Sequence, residues 1–423
     1  MTKAAPKAIA VAKVLDSVMR SDRGRLLAAL VANLRNLSMA EEALQDAAVS
    51  ALSHWGRLGV PNSPQGWLLT VARRKALDKL RGSSRDVQKA KALSILIERE
   101  EADIEEIPDE RLRLIFACCH PALEMKSRIA LTLRSVCGLT TTEIAHAFLD
   151  LEATMGQRLS RAKTKISAAG IRFEVPESEH WPSRIEAVLA TIYLIFTTGY
   201  VAGPNEPRDL CHEAEYLMRL INQLHPDDPE IEGAIAMMLL TGARRAARIG
   251  KDGASLPPAE QDHSLWDQSK IIEGRSILAR AIVQRKPGPF QIKAAIADCQ
   301  MTEPAPDWQQ IALLYQALWR FEPTPVITLN AAVALAEAGD PIRALEIVEN
   351  LANQCSDFQP WHAARAALLE RTGNRVEAIE AYNSAIAMTS SMSDSLYLQK
   401  RLSALGSTAG ADQPATMTES PTP

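Results

Sequence analysis

The side chains of this chain that could do intermolecular chemistry fall into charged blocks. From Arg73 to Lys91 eight basic residues (Arg73, Arg74, Lys75, Lys79, Arg81, Arg85, Lys89, Lys91) stand against two acidic ones, Asp78 and Asp86. From Gly156 to Arg172 there are five basic residues (Arg158, Arg161, Lys163, Lys165, Arg172) and no acidic one. Between these blocks, Glu98 to Arg111 carries eight acidic residues against Arg99 and Arg111. Clustered Lys and Arg neutralise phosphates and release counterions, so the chemistry they offer is grip on a nucleic-acid backbone. With a net charge of −4 and a pI of about 6.1, that grip has to be local rather than a property of the whole molecule.

Catalytic constellations are missing. His212-Glu213 is followed by Tyr216 where a zinc-binding helix would need His. Cys118-Cys119-His120 has no evident fourth ligand and reads as two core cysteines before a helix-ending His-Pro. Asp262-His263 lacks a nucleophile motif, and no glycine-rich phosphate loop occurs. The expectation is therefore a non-enzyme with no cofactor and no metal. The six cysteines are scattered without a CxxC pair, which fits a reducing, cytoplasmic compartment. Lys3, Lys7 and Lys13 interrupt the N-terminal stretch, so no secretion signal is expected. The longest uncharged run, Ala187 to Asn205, is broken by Thr197, Thr198, Gly199, Gly203 and Pro204; it predicts a buried helix rather than a membrane span.

The elements that must position the cations are helices. Aromatics are only 5% and β-branched runs are rare, so the fold class expected is all-α. A helical pattern runs from Arg23 to Asn36. Ser38 then opens a second helix with Glu41 in the capping-box position, followed by Leu44, Ala48, Ala51, Leu52 and Trp55 at helical spacing. Its polar edge is Glu42, Gln45 and Asp46. Ser63-Pro64 is a good start for a third helix, with Trp67, Leu68, Val71, Ala72, Ala76 and Leu80 inward and Arg73, Arg74, Lys75, Lys79 and Arg81 over the rest.

A second module begins near Asp109. It holds helices over Arg111–Cys118 and Lys126–Val136, ended by Gly138, then a Thr140/Glu143 capping box before Ile144, Ala145 and Phe148. A turn at Leu149-Asp150-Leu151 leads into a helix that buries Met155, Leu159, Ala162 and Ile166. Its opposite face carries Ala153, Thr154, Gln157, Arg158, Arg161 and Lys165. Short side chains first and cations further along suit a recognition helix in a major groove, the helix-turn-helix arrangement.

The first 175 residues resemble a bacterial RNA polymerase sigma factor of the extracytoplasmic-function group. Ala40 to Asp46 (AEEALQD) resembles the family's region 2 helix that binds core polymerase. Pro64, Trp67, Leu68, Ala72, Arg73, Asp78 and Arg81 resemble the promoter −10 helix, and Thr142-Glu143-Ile144-Ala145 through Arg161-Ala162-Lys163 resembles region 4, which reads the −35 element. Arg74 stands where Asn commonly does, and Ala47 and Ala48 replace a bulky aromatic. The resemblance implies core RNA polymerase and promoter DNA as partners. Polymerase would meet Glu42, Gln45 and Asp46; the −10 element would meet Trp67, Arg73, Arg74, Lys75 and Arg81. Trp67 also lies on the apolar stripe, where it reads as core. The −35 element would meet Ala153, Thr154, Gln157, Arg158, Arg161 and Lys165. The acidic connector reads either as a solvated linker or, as the resemblance implies, as a segment threading the polymerase channel.

Beyond a boundary near Val175–Pro182 the chain continues for about 250 residues. Gly339 to Ile347 aligns with Gly373 to Ala381 at an offset of 34, the tetratricopeptide period. The layout expected is region 2 at 10–86, an acidic linker at 87–108, region 4 at 109–175, a helical-repeat domain at 181–408 and a disordered tail at 409–423. Together with segments such as Ala187–Gly203 and Trp361–Ala366, this resembles the sigma subgroup with a tetratricopeptide-like extension, which implies a regulatory contact with the sigma core or a partner protein. The competing reading is an operator-binding helix-turn-helix regulator fused to a peptide-binding scaffold.

Overall fold

The computed structural model describes residues 4–81, 94, 109–148, 150–177, 179–202, 209–389 and 391–407. Most of the acidic connector, Asp86 and the cations Arg85, Lys89 and Lys91, and the C-terminal tail expected at 409–423 lie outside the described residues. The fold is all-α, as composition predicts. Among the described residues the sole β-pairing is an isolated bridge between Ile249 and Ser255. The chain forms two compact units: the first comprises Met1–Gly199 and Pro207–Leu217, the second Tyr200–Glu206 and Met218–Pro423.

In the first unit α1 (Ala4–Ser21), α2 (Arg23–Leu34), α3 (Leu37–Leu58) and α4 (Pro64–Arg81) form one helical module. The helix α1 is not marked by any pattern singled out in the sequence. Leu26, Leu27, Leu30, Leu44, Trp55, Leu68, Leu69 and Leu80 fill the core that these helices share. Ser63 starts α4 as expected, its Oγ accepting from the Gly66 amide at 3.2 Å. The start of α3 differs. Asn36 is the N-cap and accepts from the Met39 amide at 3.0 Å, so Ser38 lies inside the helix and Glu41 has no capping role. Leu52, expected inside, is 49% exposed, because Leu44, Ala51 and Trp55 already fill the buried stripe.

The second module of this unit holds α5 (Arg111–Cys118), α6 (Met125–Ser135), α7 (Thr141–Ala147) and α8 (Glu152–Ala168). Gly138 adopts a φ of +75°, the left-handed conformation that lets the chain reverse after α6. The capping box of α7 is reciprocal: Thr140 Oγ1 accepts from the Glu143 amide at 3.1 Å, and Glu143 Oε2 accepts from the Thr140 amide at 2.7 Å. The helix α8 buries Met155, Leu159, Ala162 and Ile166, as their spacing predicts.

The helices α9 (Trp181–Ala202) and α10 (Leu210–Leu224) were expected to open the repeat domain. Residues up to 199 and from 207 to 217 instead belong to the first unit. Trp181 packs edge-on against Phe116 with ring centroids 5.1 Å apart, and Arg184 donates to the Phe116 carbonyl at 2.7 Å. Residues Trp181–Val201 are long and apolar enough to cross a membrane by length and composition alone, and half of that window is buried inside the protein. Gly199 meets α10 so closely that a Cβ there would lie 2.7 Å from the Cys211 amide nitrogen.

The second unit is a succession of helical hairpins: α11 (Pro229–Ala243) with α12 (Gln268–Val283), α13 (Pro289–Cys299) with α14 (Trp308–Trp319), and α15 (Pro325–Glu337) with α16 (Pro341–Glu349). A short α17 (Ala352–Cys355) precedes the hairpin of α18 (Gln359–Arg371) and α19 (Arg375–Met388), and α20 (Met392–Ser407) closes the unit. The 34-residue period has physical content. Gly339 and Gly373 both turn with positive φ, Ala344 and Ala378 are both fully buried at the hairpin contact, and Glu337 pairs with Arg371 at 2.6 Å. The period is accompanied by a simpler signal: Pro229, Pro289, Pro325 and Pro360 stand at the first or second position of each opening helix.

Candidate nucleic-acid and partner interface

On α8, Ala153, Thr154, Gln157, Arg161 and Lys165 are exposed along one side, opposite the buried stripe. Arg158 departs from the expectation of an outward cation. Its side chain is only 19% exposed and pairs with Asp150 at 3.4 Å and Glu124 at 3.7 Å, clamping the turn that enters α8. The remaining row presents a small, polar start and a cationic end, a profile that can approach base edges and hold phosphates.

On α4, Arg74, Lys75 and Arg81 are exposed. Arg73 is not available to DNA, being only 4% exposed. Its position continues the row Leu69, Ala76 and Leu80 on the packed side of the helix, and burial holds its guanidinium below the usual range. Trp67 is half-buried, tilted on His54 with centroids 5.3 Å apart and edge-on to Trp55 at 5.4 Å. That environment makes it a packing residue of the α3–α4 contact rather than a platform for bases.

On α3, Glu42 and Gln45 are exposed and Asp46 is half-buried. Lys79 of α4 reaches across to both carboxylates, 3.0 Å from Asp46 and 3.2 Å from Glu42, and these bonds raise its pKa. Beside Gln45, Val49 is 63% exposed and continues to Leu52, one turn apart on the same side. The expected polar edge thus adjoins an apolar strip that sequence reading assigned in part to the core.

Sequence reasoning also missed a charge cluster behind this face. Glu41 is paired with Lys163 of α8, and Arg23 at the start of α2 lies 3.5 Å from the same carboxyl group. Arg23 is buried, its guanidinium held below the usual range by desolvation and by nearby Arg134, with Glu41 acting in the opposite direction. The backbones here are close: a Cβ on Gly24 would lie 2.3 Å from the Val136 carbonyl oxygen, so this position has room only for glycine. Among the described residues no group of three or more His, Cys, Asp or Glu side chains gathers as a metal site would require. Cys118 and Cys119 are buried in the core, with burial raising both thiols, and half-buried His120 accepts from the Ala122 amide through Nδ1 at 3.1 Å.

Residues 18–86, which hold the last residues of α1 and the whole of α2, α3 and α4, match the family described as Sigma-70 region 2. Residues 184–282, from α9 to the end of α12, match a family of unknown function (DUF6596). The chain is similar over nearly its whole length to the uncharacterized protein R00370 of Rhizobium meliloti (strain 1021), with 40% identity over 418 residues, covering 96% of this chain and 98% of that protein. No solved structure matches.

Proposed function

We propose, for a chain that belongs to one family with the Rhizobium meliloti protein and carries sigma-70 region 2, that it binds core RNA polymerase and directs transcription initiation from promoters with −10 and −35 elements. The observation that carries the reading is the match to region 2 over residues 18–86, the end of α1 and all of α2–α4, which present Glu42, Gln45, Val49 and Leu52 on α3 and Arg74, Lys75 and Arg81 on α4 as exposed side chains. The α3 edge would seat on polymerase, and the α4 cations would hold −10 DNA. The helix pair α7–α8 acts as a helix-turn-helix of the extracytoplasmic-function type, reading the −35 element through Ala153, Thr154, Gln157, Arg161 and Lys165. Each DNA face offers only a few cations and so binds weakly and salt-sensitively by itself. Polymerase, by holding both at once, converts two weak contacts into one strong one.

The second unit, a tetratricopeptide-like array in this reading, tunes that activity by contact with the sigma modules or a partner protein. Run-off transcription with purified core polymerase tests the proposal, comparing the full chain with a variant ending after residue 217, where the first unit ends. The full chain is expected to confer promoter-dependent initiation on core polymerase, and the shortened chain to initiate at a different level. Binding of promoter DNA without any effect on core polymerase would replace this reading with that of an operator-binding regulator.

A further inference from the structure

In the second unit the hairpins α15–α16 and α18–α19 are closed by residues 338–340 and 372–374, but α11 and α12 are joined by the far longer segment 244–267. That segment is packed rather than loose: Arg244, Ala247, Ala254, Gln261 and Trp266 are all buried. A long, ordered connection of this kind is a common carrier of a binding site.

At its start stands a charge with no counter-charge. Arg244 is only 5% exposed, and burial holds its guanidinium below the usual range. Its Nη2 donates to Gln300 Oε1 at 2.6 Å, and among the described residues no carboxylate pairs with it. Arg23, the comparably buried arginine of the first unit, has Glu41 for this purpose. Arg244 and Gln300 directly follow the ends of α11 and α13, whose carbonyls supply about half a negative charge each. Arg245 and Arg248 add two more guanidiniums on the same turn.

The contacts around Arg244 close on themselves. Gln300 lies three residues before Glu303, whose carboxylate is 3.8 Å from His263. The His263 ring stacks on Trp266 with centroids 3.9 Å apart. The Asp267 amide, next to Trp266, donates to the Ala243 carbonyl, next to Arg244, at 3.0 Å. Two donors in this circuit, Arg244 Nε and Trp266 Nε1, are buried and have no hydrogen-bond partner among the described residues. A buried donor left unpaired is costly, and both of these want an acceptor.

We propose that this circuit is a binding site for a small oxyanion, a carboxylate or a phosphate, held by the Nε edge of Arg244 and the indole N–H of Trp266. A neutral acceptor such as water would satisfy the two N–H groups but leave the guanidinium charge uncompensated; an anion does both, and burial strengthens such charge-assisted bonds. Both donors belong to the segment 244–267, so the anion fastens that segment. The segment in turn touches the last helix of the unit: the Ser255 amide donates to the Ser393 carbonyl at 3.0 Å, and Asp252 pairs with Lys400. Occupancy of the site therefore bears on α20 as well as on the α11–α12 hairpin.

Isothermal titration of the full-length protein with inorganic phosphate and, separately, with succinate tests the site, both in chloride buffer at constant ionic strength. Saturable binding of at least one is expected, and the arm that binds gives the anion class. Binding should weaken by about tenfold or more in Trp266→Phe, the worth of one hydrogen bond to a charged group, and vanish in Arg244→Met. Hydrogen exchange in 244–267 should slow when the anion is added. Thermal melting identifies a variant that has failed to fold; Trp266→Phe, which loses the N–H and keeps an aromatic ring against His263, then carries the test. No saturable binding of either anion to the wild-type chain overturns the site. So does binding that survives unchanged in folded Trp266→Phe or Arg244→Met, which would place the anion elsewhere.

Discussion

Glu42 and Asp46, one helical turn apart on α3, share a single partner, the ammonium of Lys79, at 3.2 and 3.0 Å. The same two carboxylates are the ones assigned to polymerase. Under the proposed function they would exchange Lys79 for a polymerase cation when the complex forms, and the internal pair would compete with the external one. All three side chains are substantially exposed, so the internal pair contributes little to folding.

A Lys79→Ala variant should accordingly melt within about 0.5 kcal/mol of the wild type, as exposed ion pairs do. Its affinity for core polymerase in the absence of DNA should rise by about twofold to fivefold, the worth of one exposed pair. Titration of labelled protein with core polymerase checks this. A fall in affinity would mean that Lys79 itself contacts polymerase.

The apolar strip beside those carboxylates makes a stronger prediction. Val49 and Leu52 are exposed at 63% and 49%, so replacing either with Glu disturbs little packing and should lower stability by no more than about 1 kcal/mol. At the centre of an interface the same change leaves a carboxylate desolvated, at a cost of about 2 kcal/mol or more. Co-purification with core polymerase should weaken by more than tenfold in Leu52→Glu. Retention at wild-type level would move the polymerase surface off this side of α3.

How far these sites were legible depends on whether a local rule or a distant contact decides them. The buried row Met155, Leu159, Ala162 and Ile166 was readable because helix geometry alone fixes which residues face inward. The Thr140–Glu143 box was readable because both of its hydrogen bonds close within four residues. Glu41 was misread by the same rule, since Asn36 caps α3 two residues earlier than Ser38 would. Arg73 was misread although its spacing from Leu69, Ala76 and Leu80 carried the signal; counting it among cations hid its place in the stripe. The attachment of α9 to the first unit had no local signal, because it rests on Trp181 and Arg184 meeting Phe116 more than sixty residues earlier in the chain.

Arg158 and Arg161 separate structure from recognition within one turn of α8. Arg161 is exposed, so Arg161→Ala should leave melting unchanged, weaken promoter binding, and reduce the slope of log affinity against log salt by about 1 if it holds a phosphate. Arg158 is tied to Asp150 and Glu124, so Arg158→Ala should lower stability by about 1 kcal/mol with the salt slope unchanged. Fluorescence anisotropy across a salt series, beside thermal melts, distinguishes the two. Equal loss of slope in both would return Arg158 to the DNA face.

The repeat in the second unit sets a different kind of limit. Ala344 and Ala378 are fully buried where the second helix of each hairpin crosses the first, and their neighbours Val348 and Tyr382 occupy equivalent places one period apart. At such a crossing the side chain sets the distance between helix axes, so extra methylenes have nowhere to go without separating the helices. Ala344→Leu should destabilise the second unit by about 1–3 kcal/mol, the usual cost of overpacking a well-filled core. Ala378→Leu should cost a similar amount. Each hairpin packs chiefly on its sequence neighbours, so the damage should stay near its own repeat rather than spread evenly. Hydrogen exchange would show it as faster opening of α15 and α16 in the first variant and of α18 and α19 in the second. Uniform acceleration across the whole second unit would mean that it unfolds as one block, and the array description would have to be abandoned in favour of a single cooperative core.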